Sequence, residues 1–265
     1  MLEITSNTNP RIKDAIALQD KSSLRRKSGR FVIEGIREVE QALAAGIRLQ
    51  ALFFTSTLEN LRQDLLQQAE KSGATLCRIN SNVYQKLAYR ESTEGIVAVA
   101  HTPSRSLREL QVSEHPLIIV LEAVEKPGNL GAILRTADAV HADAVLVCDP
   151  LTDLYNPNVI RSSLGGVFSV PLLSCTSEEA VQWLKERHIR ILTAQLQDSE
   201  LYYATDMRTG CALVMGTEAT GLTPYWREQA DEHIRIPMLG KIDSLNVSVS
   251  TAILCYEAIR QRHEA

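Results

Sequence analysis

The chain lacks any apolar run approaching the roughly 18 to 20 residues of a membrane span. Its longest, such as PLIIVLEAV, fall well short. The first residues, MLEITSNTNP, lack the charged-then-apolar pattern of a signal peptide, so the sequence points to the cytoplasm and to no membrane partner. No CxxC pair occurs among Cys77, Cys148, Cys175, Cys211 and Cys255. Most of them sit in apolar stretches such as AVLVC and GCALVMG, which reads as buried, reduced thiols. The six histidines are dispersed and form no HExxH, so no metal is expected. Neither GxGxxG nor GxxxxGK[ST] is present, so a cofactor would not be gripped by its phosphates. Positive charge is not in excess: a net charge of −4 excludes a protein coated in basic residues. One stretch, KSSLRRKSGR, is locally basic, and it fits either a solvated, mobile arm or a nucleic-acid contact through Arg25, Arg26, Lys27 and Arg30.

What is present suits a buried core in one large or two modest domains, since the chain has 265 residues of which 45% are hydrophobic. After the basic run, FVIEGIREVEQALAAG carries Ile36, Val39 and Leu43 at helical spacing, with Gly46 placed to end the helix. LQALFF, TLCRIN and GIVAVA read as strands; LENLRQDLLQQAEKSG and NVYQKLAYRE read as helices between them. This predicts a small α/β domain over residues 1–105. HTPSRSLREL breaks the periodicity and predicts a linker, taken as 106–113. From 114 to 265, LIIVLEAV, NLGAILRTADAV and AVLVCDP form a strand-helix-strand crossover, and IRILTAQ, CALVMG and HIRIPM add strands. The expected fold is α/β, a mostly parallel sheet with helices on both faces, and ligands bind such sheets at the carboxyl ends of strands.

Three loops follow those strands. In PGNLGAILRTADA a helix starting near Asn129 puts Gly131 and Arg135 one turn apart on one face; Arg135 leans back toward the loop, or is an ordinary surface arginine. In MGTEATGL, Gly216 and Gly221 permit close backbone approach around Glu218, as in many simple turns. In IPMLGKIDSLNVSVS, Ser244 is a good N-cap for a helix of about five turns, which places Leu245, Val249, Ala252, Ile253 and Tyr256 on one apolar stripe with Asn246 and Ser250 beside it.

Taken together, NLGAILRTADA, MGTEATG and IPMLGKIDSLNVSVSTAI resemble the three ordered motifs of the SpoU/TrmH branch of the SPOUT methyltransferases. DPLTDLYNPNVIRSSLGGVFSVP, with Asn158, Arg161, Ser163 and Gly165, is similar to the segment that family carries between its first and second motifs. FVIEGIREVEQAL resembles, more loosely, its ribosomal-protein-like substrate-binding domain. The resemblance implies transfer of a methyl group from S-adenosylmethionine to a ribose 2′-hydroxyl in RNA, with rRNA preferred to tRNA. It also implies a deep trefoil knot in the C-terminal domain and a homodimer formed through that domain. By the same resemblance Thr193, Gly216, Ile236, Met238, Leu245 and Asn246 contact the cofactor, and Asn129, Arg135, Glu218, Ser244 and Asn246 form the polar active-site set, with Arg161 joining the basic run in holding RNA.

A guanidinium stays protonated, which favours Arg135 as an electrostatic stabiliser or phosphate clamp over a base; Glu218 is either the base or an orienting group. Two alternatives compete: a SPOUT enzyme methylating a base nitrogen, and a non-catalytic RNA-binding or ribosome-assembly factor.

Overall fold

The structure, a computed structural model, describes residues 1–89, 94–217 and 220–263. The chain forms two compact units, Met1–Ser104 with Asp153–Ser169, and Arg105–Thr152 with Val170–Ala265. The first boundary lies between Ser104 and Arg105, before the linker expected at 106–113, and the contiguous division read from the sequence is not kept. The segment 153–169, expected in the C-terminal domain, packs with the N-terminal unit.

In the first unit the described strands are β1 (Leu2–Ile4), β2 (Arg30–Glu34), β3 (Leu49–Phe54), β4 (Thr75–Ile79) and β5 (Ile96–His101), arranged β1-β4-β3-β5-β2. β5 runs antiparallel to both β2 and β3, while β4 is parallel to β1 and β3. One face is covered by helix Pro10–Asp20, whose Ile12, Ala15 and Leu18 join Val32, Phe53 and Val99 in a core. Asn9 caps that helix and Pro10 opens it, where a missing N–H costs nothing. FVIE is strand β2, not the start of the helix, because Gly35 at φ 112° breaks the chain between them and helix Ile36–Ala44 begins only afterwards. The expected helix over 58–73 is two, Ser56–Leu61 and Gln63–Lys71, separated at Arg62.

The basic run is ordered, contrary to the reading of a mobile arm. It forms helix Ser22–Ser28, closed by Gly29 at φ 61°. Arg25 is 4% exposed; it pairs with Asp153 at 2.5 Å and donates to the carbonyls of Leu18 and Gln19. A guanidinium buried in this way and paired with Asp153 holds the 153–169 segment in place and faces away from solvent, so Arg25 is a structural residue more than an RNA contact. Phe31 stacks on Tyr155, 4.5 Å between centroids, which fastens the same segment with apolar area.

The second unit is a seven-stranded sheet among the described residues: β6 (Leu117–Glu122), β7 (Ala144–Cys148), β8 (Leu172–Cys175), β9 (Arg190–Ala194), β10 (Glu200–Leu201), β11 (Cys211–Met215) and β12 (Glu232–Arg235). The order is β10-β12-β9-β11-β6-β7-β8, and each strand runs parallel to its neighbours. Val120, Leu146, Ile191 and Val214 pack under helices Ser177–Glu186 and Pro224–Gln229 through Trp183, Leu184 and Trp226. Leu117, Ile119 and Leu121 are buried as well, and helices Pro127–Ala139 and Val247–His263 pack against the sheet. Both faces are thus covered, as unbroken apolar strands require. Residues 106–113 are not a free linker: Leu107, Leu110 and Val112 pack on this core and the Leu107 carbonyl accepts from the Trp183 indole at 2.7 Å.

Helix Val247–His263 is anchored at its end by Arg262, which donates to the carbonyls of Met207, His115 and Thr209. Its N-cap is Asn246, whose side-chain oxygen accepts from the Ser248 N–H at 3.0 Å, and not Ser244, whose hydroxyl meets Asp243 instead.

Candidate active site

β6 leads away toward β7 and β8, while β11 and β9 lie on its other side; the chain reverses direction across the sheet between β6 and β11. Loops leaving the two strands there part to opposite sides, which opens a crevice at their carboxyl ends. On the β11 side of that point a cavity of about 580 Å³ is lined by the segments after β9, β11 and β12 and by the start of the C-terminal helix. Its size is that of a site for a cofactor-sized molecule.

Each loop contributes mainly backbone. Gly216 leaves β11 where a Cβ would come 2.3 Å from the carbonyl carbon of Gly221, so no side chain fits. Thr217 and Gly221 then exchange two backbone hydrogen bonds of 3.1 Å, with Gly221 at φ 69°. Ile236, Met238, Ser244, Leu245 and Asn246 line the same cavity, so five expected residues of the third motif meet there with Gly216. Thr193 does not line it. It is fully buried in β9 with its hydroxyl 2.6 Å from His233 Nδ1, and the lining begins one residue later, at Ala194, because the cavity opens beyond the strand end.

Asn129 borders a smaller adjoining cavity of about 100 Å³ together with Glu122, Gly216 and Val247. Its helix starts at Pro127, two residues earlier than the expected start. The Asn246 amide donates to Asn129 Oδ1 at 3.1 Å, so the first and third motifs, 117 residues apart, are joined side chain to side chain. Arg135 is exposed on that helix, one turn after buried Gly131, and makes no hydrogen bond or ion pair among the described residues. It is available to a ligand. Glu218 lies outside the described residues.

The expected RNA-binding residues divide. Arg26 and Lys27 are exposed with no ion pair among the described residues, Arg25 is buried as above, and Arg30 is held by Asp14 through two hydrogen bonds of 2.7 and 3.1 Å. Arg161 is exposed in the first unit, with its charge acting on Glu38. Burial pushes the Cys255 thiol up to about 12 and raises that of Cys211, and a thiol so shifted is protonated at neutral pH and is no nucleophile. No group of three or more metal-ligating side chains occurs among the described residues.

Sequence reasoning missed Glu122. It is 5% exposed at the end of β6, and both its oxygens are used, by the Thr223 N–H at 2.9 Å and the Thr223 hydroxyl at 2.7 Å. One carboxylate closing an otherwise apolar strand, LIIVLE, was the available signal.

Residues 116–256 match the SpoU rRNA Methylase family, and residues 9–98 match the MRM3-like substrate binding domain. The chain is 31% identical to the Bacillus subtilis 23S rRNA (guanosine(2553)-2′-O)-methyltransferase RlmP, over 97% of this chain and 98% of that one. A solved RNA 2′-O ribose methyltransferase is similar over 99% of this chain and 100% of its own, at 42% identity and a TM-score of 0.81. An AdoMet-bound rRNA methyltransferase from Sinorhizobium meliloti covers 97% of both chains at 28% identity, with a TM-score of 0.90. The family match over residues 116–256, the relative matched along nearly its whole length and the shared fold together place the chain in the SpoU rRNA methylase family, to which it belongs.

Proposed function

We propose that the protein transfers a methyl group from S-adenosylmethionine to a ribose 2′-hydroxyl of 23S rRNA. The observation that carries this is the Asn246–Asn129 hydrogen bond at the mouth of a glycine-lined cavity of cofactor size. Gly216, which has no room for a Cβ, fits a cofactor gripped by backbone at close range, and Ala194, Ile236, Met238 and Leu245 supply the rest of the grip. When bound, the cofactor supplies an electrophilic methyl on a sulfonium. The protein must then hold the acceptor hydroxyl in line and stabilise the negative charge that grows on its oxygen. Asn129 and Asn246 orient polar groups beside the cavity, and the uncommitted, permanently charged Arg135 stabilises the developing alkoxide or clamps the neighbouring phosphate. Ser244 adds a further hydroxyl on the cavity wall, and Glu218 completes the polar set as base or orienting group.

Four finer features belong to the same reading. The segment from Ile236 to Asn246 passes through a trefoil knot that shapes the cavity. The N-terminal unit, residues 1–104 with 153–169, selects the RNA, with Arg26, Lys27 and Arg161 on phosphates. The protein works in the cytoplasm; no helix among its described residues is long and apolar enough to cross a membrane. It is a homodimer through the C-terminal helix, a reading supported by the exposed Val249 and Tyr256 beside half-buried Ala252 and Ile253.

The test is incubation of the protein with labelled S-adenosylmethionine and unmodified 23S rRNA, followed by digestion to nucleosides. Label in a 2′-O-methylnucleoside is the expected result. Label on a base nitrogen, or RNA binding with no transfer, overturns the proposal in favour of its two competitors.

A further inference from the structure

We infer that Glu122 is a positioning residue: through Thr223 it holds the turn after β11 in the shape that admits the cofactor. The inference rests on the cavity being the cofactor site.

Glu122 is the last residue of β6, the strand beside β11. Both its oxygens accept from Thr223, one from the backbone N–H and one from the hydroxyl. Between β11 and Thr223 lies the turn whose Gly216, Thr217, Thr220, Gly221 and Leu222 line the cavity. One end of that turn is fixed by the sheet, at Met215 paired with Leu121. The other is fixed at Thr223 by the residue next to Leu121. The turn is therefore closed on adjacent positions of a single strand, a short rigid base for a loop that must leave the cavity open.

The chain beyond Thr223 is secured in a second way. Asp149, just past β7, accepts from the Ser177 hydroxyl at 2.7 Å, and the Ser177 oxygen accepts from the Trp226 indole at 3.0 Å. Trp226 is fully buried, so helix Pro224–Gln229 stays docked without Glu122. Loss of Glu122 thus loosens the stretch before Thr223, which keeps the buried Leu222 and the Thr217–Gly221 pair, and leaves the helix docked. A carboxylate is suited to the task because it accepts twice and donates nothing, matching the two donors of Thr223. Glutamine keeps one acceptor for the N–H, and its amide can donate to the Thr223 oxygen.

The experiment compares Glu122→Ala, Glu122→Gln, Thr223→Val and, as a control for lost stability alone, Val145→Ala, a fully buried site on β7 away from the turn. Two quantities are read in the full chain: calorimetric affinity for S-adenosylmethionine, and amide exchange at Gly221 and Thr223 without cofactor. Glu122→Ala is expected to weaken affinity about tenfold or more, the scale of a lost charged hydrogen-bond pair, and to speed exchange in the turn. Glu122→Gln should restore both within about threefold, Thr223→Val should fall between, and Val145→Ala should change neither. Turnover at saturating cofactor should change less than KM for cofactor. Wild-type affinity and exchange in Glu122→Ala, or equal loss in Val145→Ala, overturns the inference. Should Glu122→Ala fail to fold, Thr223→Val carries the test, and wild-type exchange and affinity there overturn it equally. If the wild-type protein binds no S-adenosylmethionine, the cofactor reading fails, while the exchange rates still decide whether Glu122 orders the turn.

Discussion

Arg25 and Arg135 put the same side chain to opposite uses. Arg25 spends three N–H donors on Asp153 and two carbonyls, while Arg135 makes no hydrogen bond or ion pair among the described residues. If Arg135 stabilises charge that appears only in the transition state, Arg135→Ala lowers single-turnover methylation by about a hundredfold or more and leaves calorimetric cofactor affinity nearly unchanged. Lysine rescues poorly, since it lacks the planar fork. A second residue-scale expectation concerns Glu38, which is 9% exposed and folds its carboxyl over Gly35. Burial raises its pKa above the ordinary 4.5 and Glu94 adds to the rise, against its own backbone hydrogen bond and the charges of Arg37 and Arg161. A carboxyl raised by folding favours the folded state fully only below the unfolded value, and that contribution is lost as pH climbs through the folded one. Glu38→Gln should therefore raise the Tm at about pH 7 by a few degrees and leave it nearly unchanged near pH 4, measured by calorimetry at both values.

At the scale of elements, helix Ser22–Ser28 splits its basic residues between inside and outside. Arg26→Ala with Lys27→Ala should weaken RNA binding and flatten its dependence on salt by about one to two units of log–log slope, without lowering Tm. Arg25→Ala should instead destabilise the fold, because it strands Asp153. The C-terminal helix divides in a similar way. Thr251, Leu254, Cys255 and Ala258 are buried in its own unit, whereas Val249 and Tyr256 are about half exposed. If the proposed homodimer forms through this helix, Val249→Glu should convert a dimeric mass to a monomeric one by light scattering, since a charge on a self-complementary surface would meet its own copy across a two-fold axis.

At the scale of the whole molecule, the return of residues 153–169 to the N-terminal unit changes what can be cut. A fragment from Arg105 to Ala265 keeps that segment but removes Phe31 and Arg25, leaving Tyr155, Val159, Ile160 and Phe168 with nothing to pack on in the first unit. Such a fragment should bind hydrophobic dye strongly and unfold at lower temperature than the full chain, where a contiguous C-terminal domain would do neither.

The sequence alone determined the parallel sheet, most of its strands and the loops that carry the site, because strands buried on both faces must be written as unbroken apolar runs and turns must be written with glycine. LIIVLE, AVLVC and CALVM are legible for that reason, and so is Gly216. Shorter elements such as β8, β10 and helix Pro157–Ser162 were not, since a few residues do not establish a period. Only the tertiary structure decided which of four basic residues faces solvent, that Asn246 caps the last helix and reaches Asn129, that Thr193 is spent on His233, and that Glu122 closes the turn after β11. Apart from the Asn246 cap, which is local, each of these rests on a hydrogen bond or ion pair between residues far apart in the chain. Local spacing sets which residues a helix or strand presents on each face, but it does not encode which distant partner will be there to meet them.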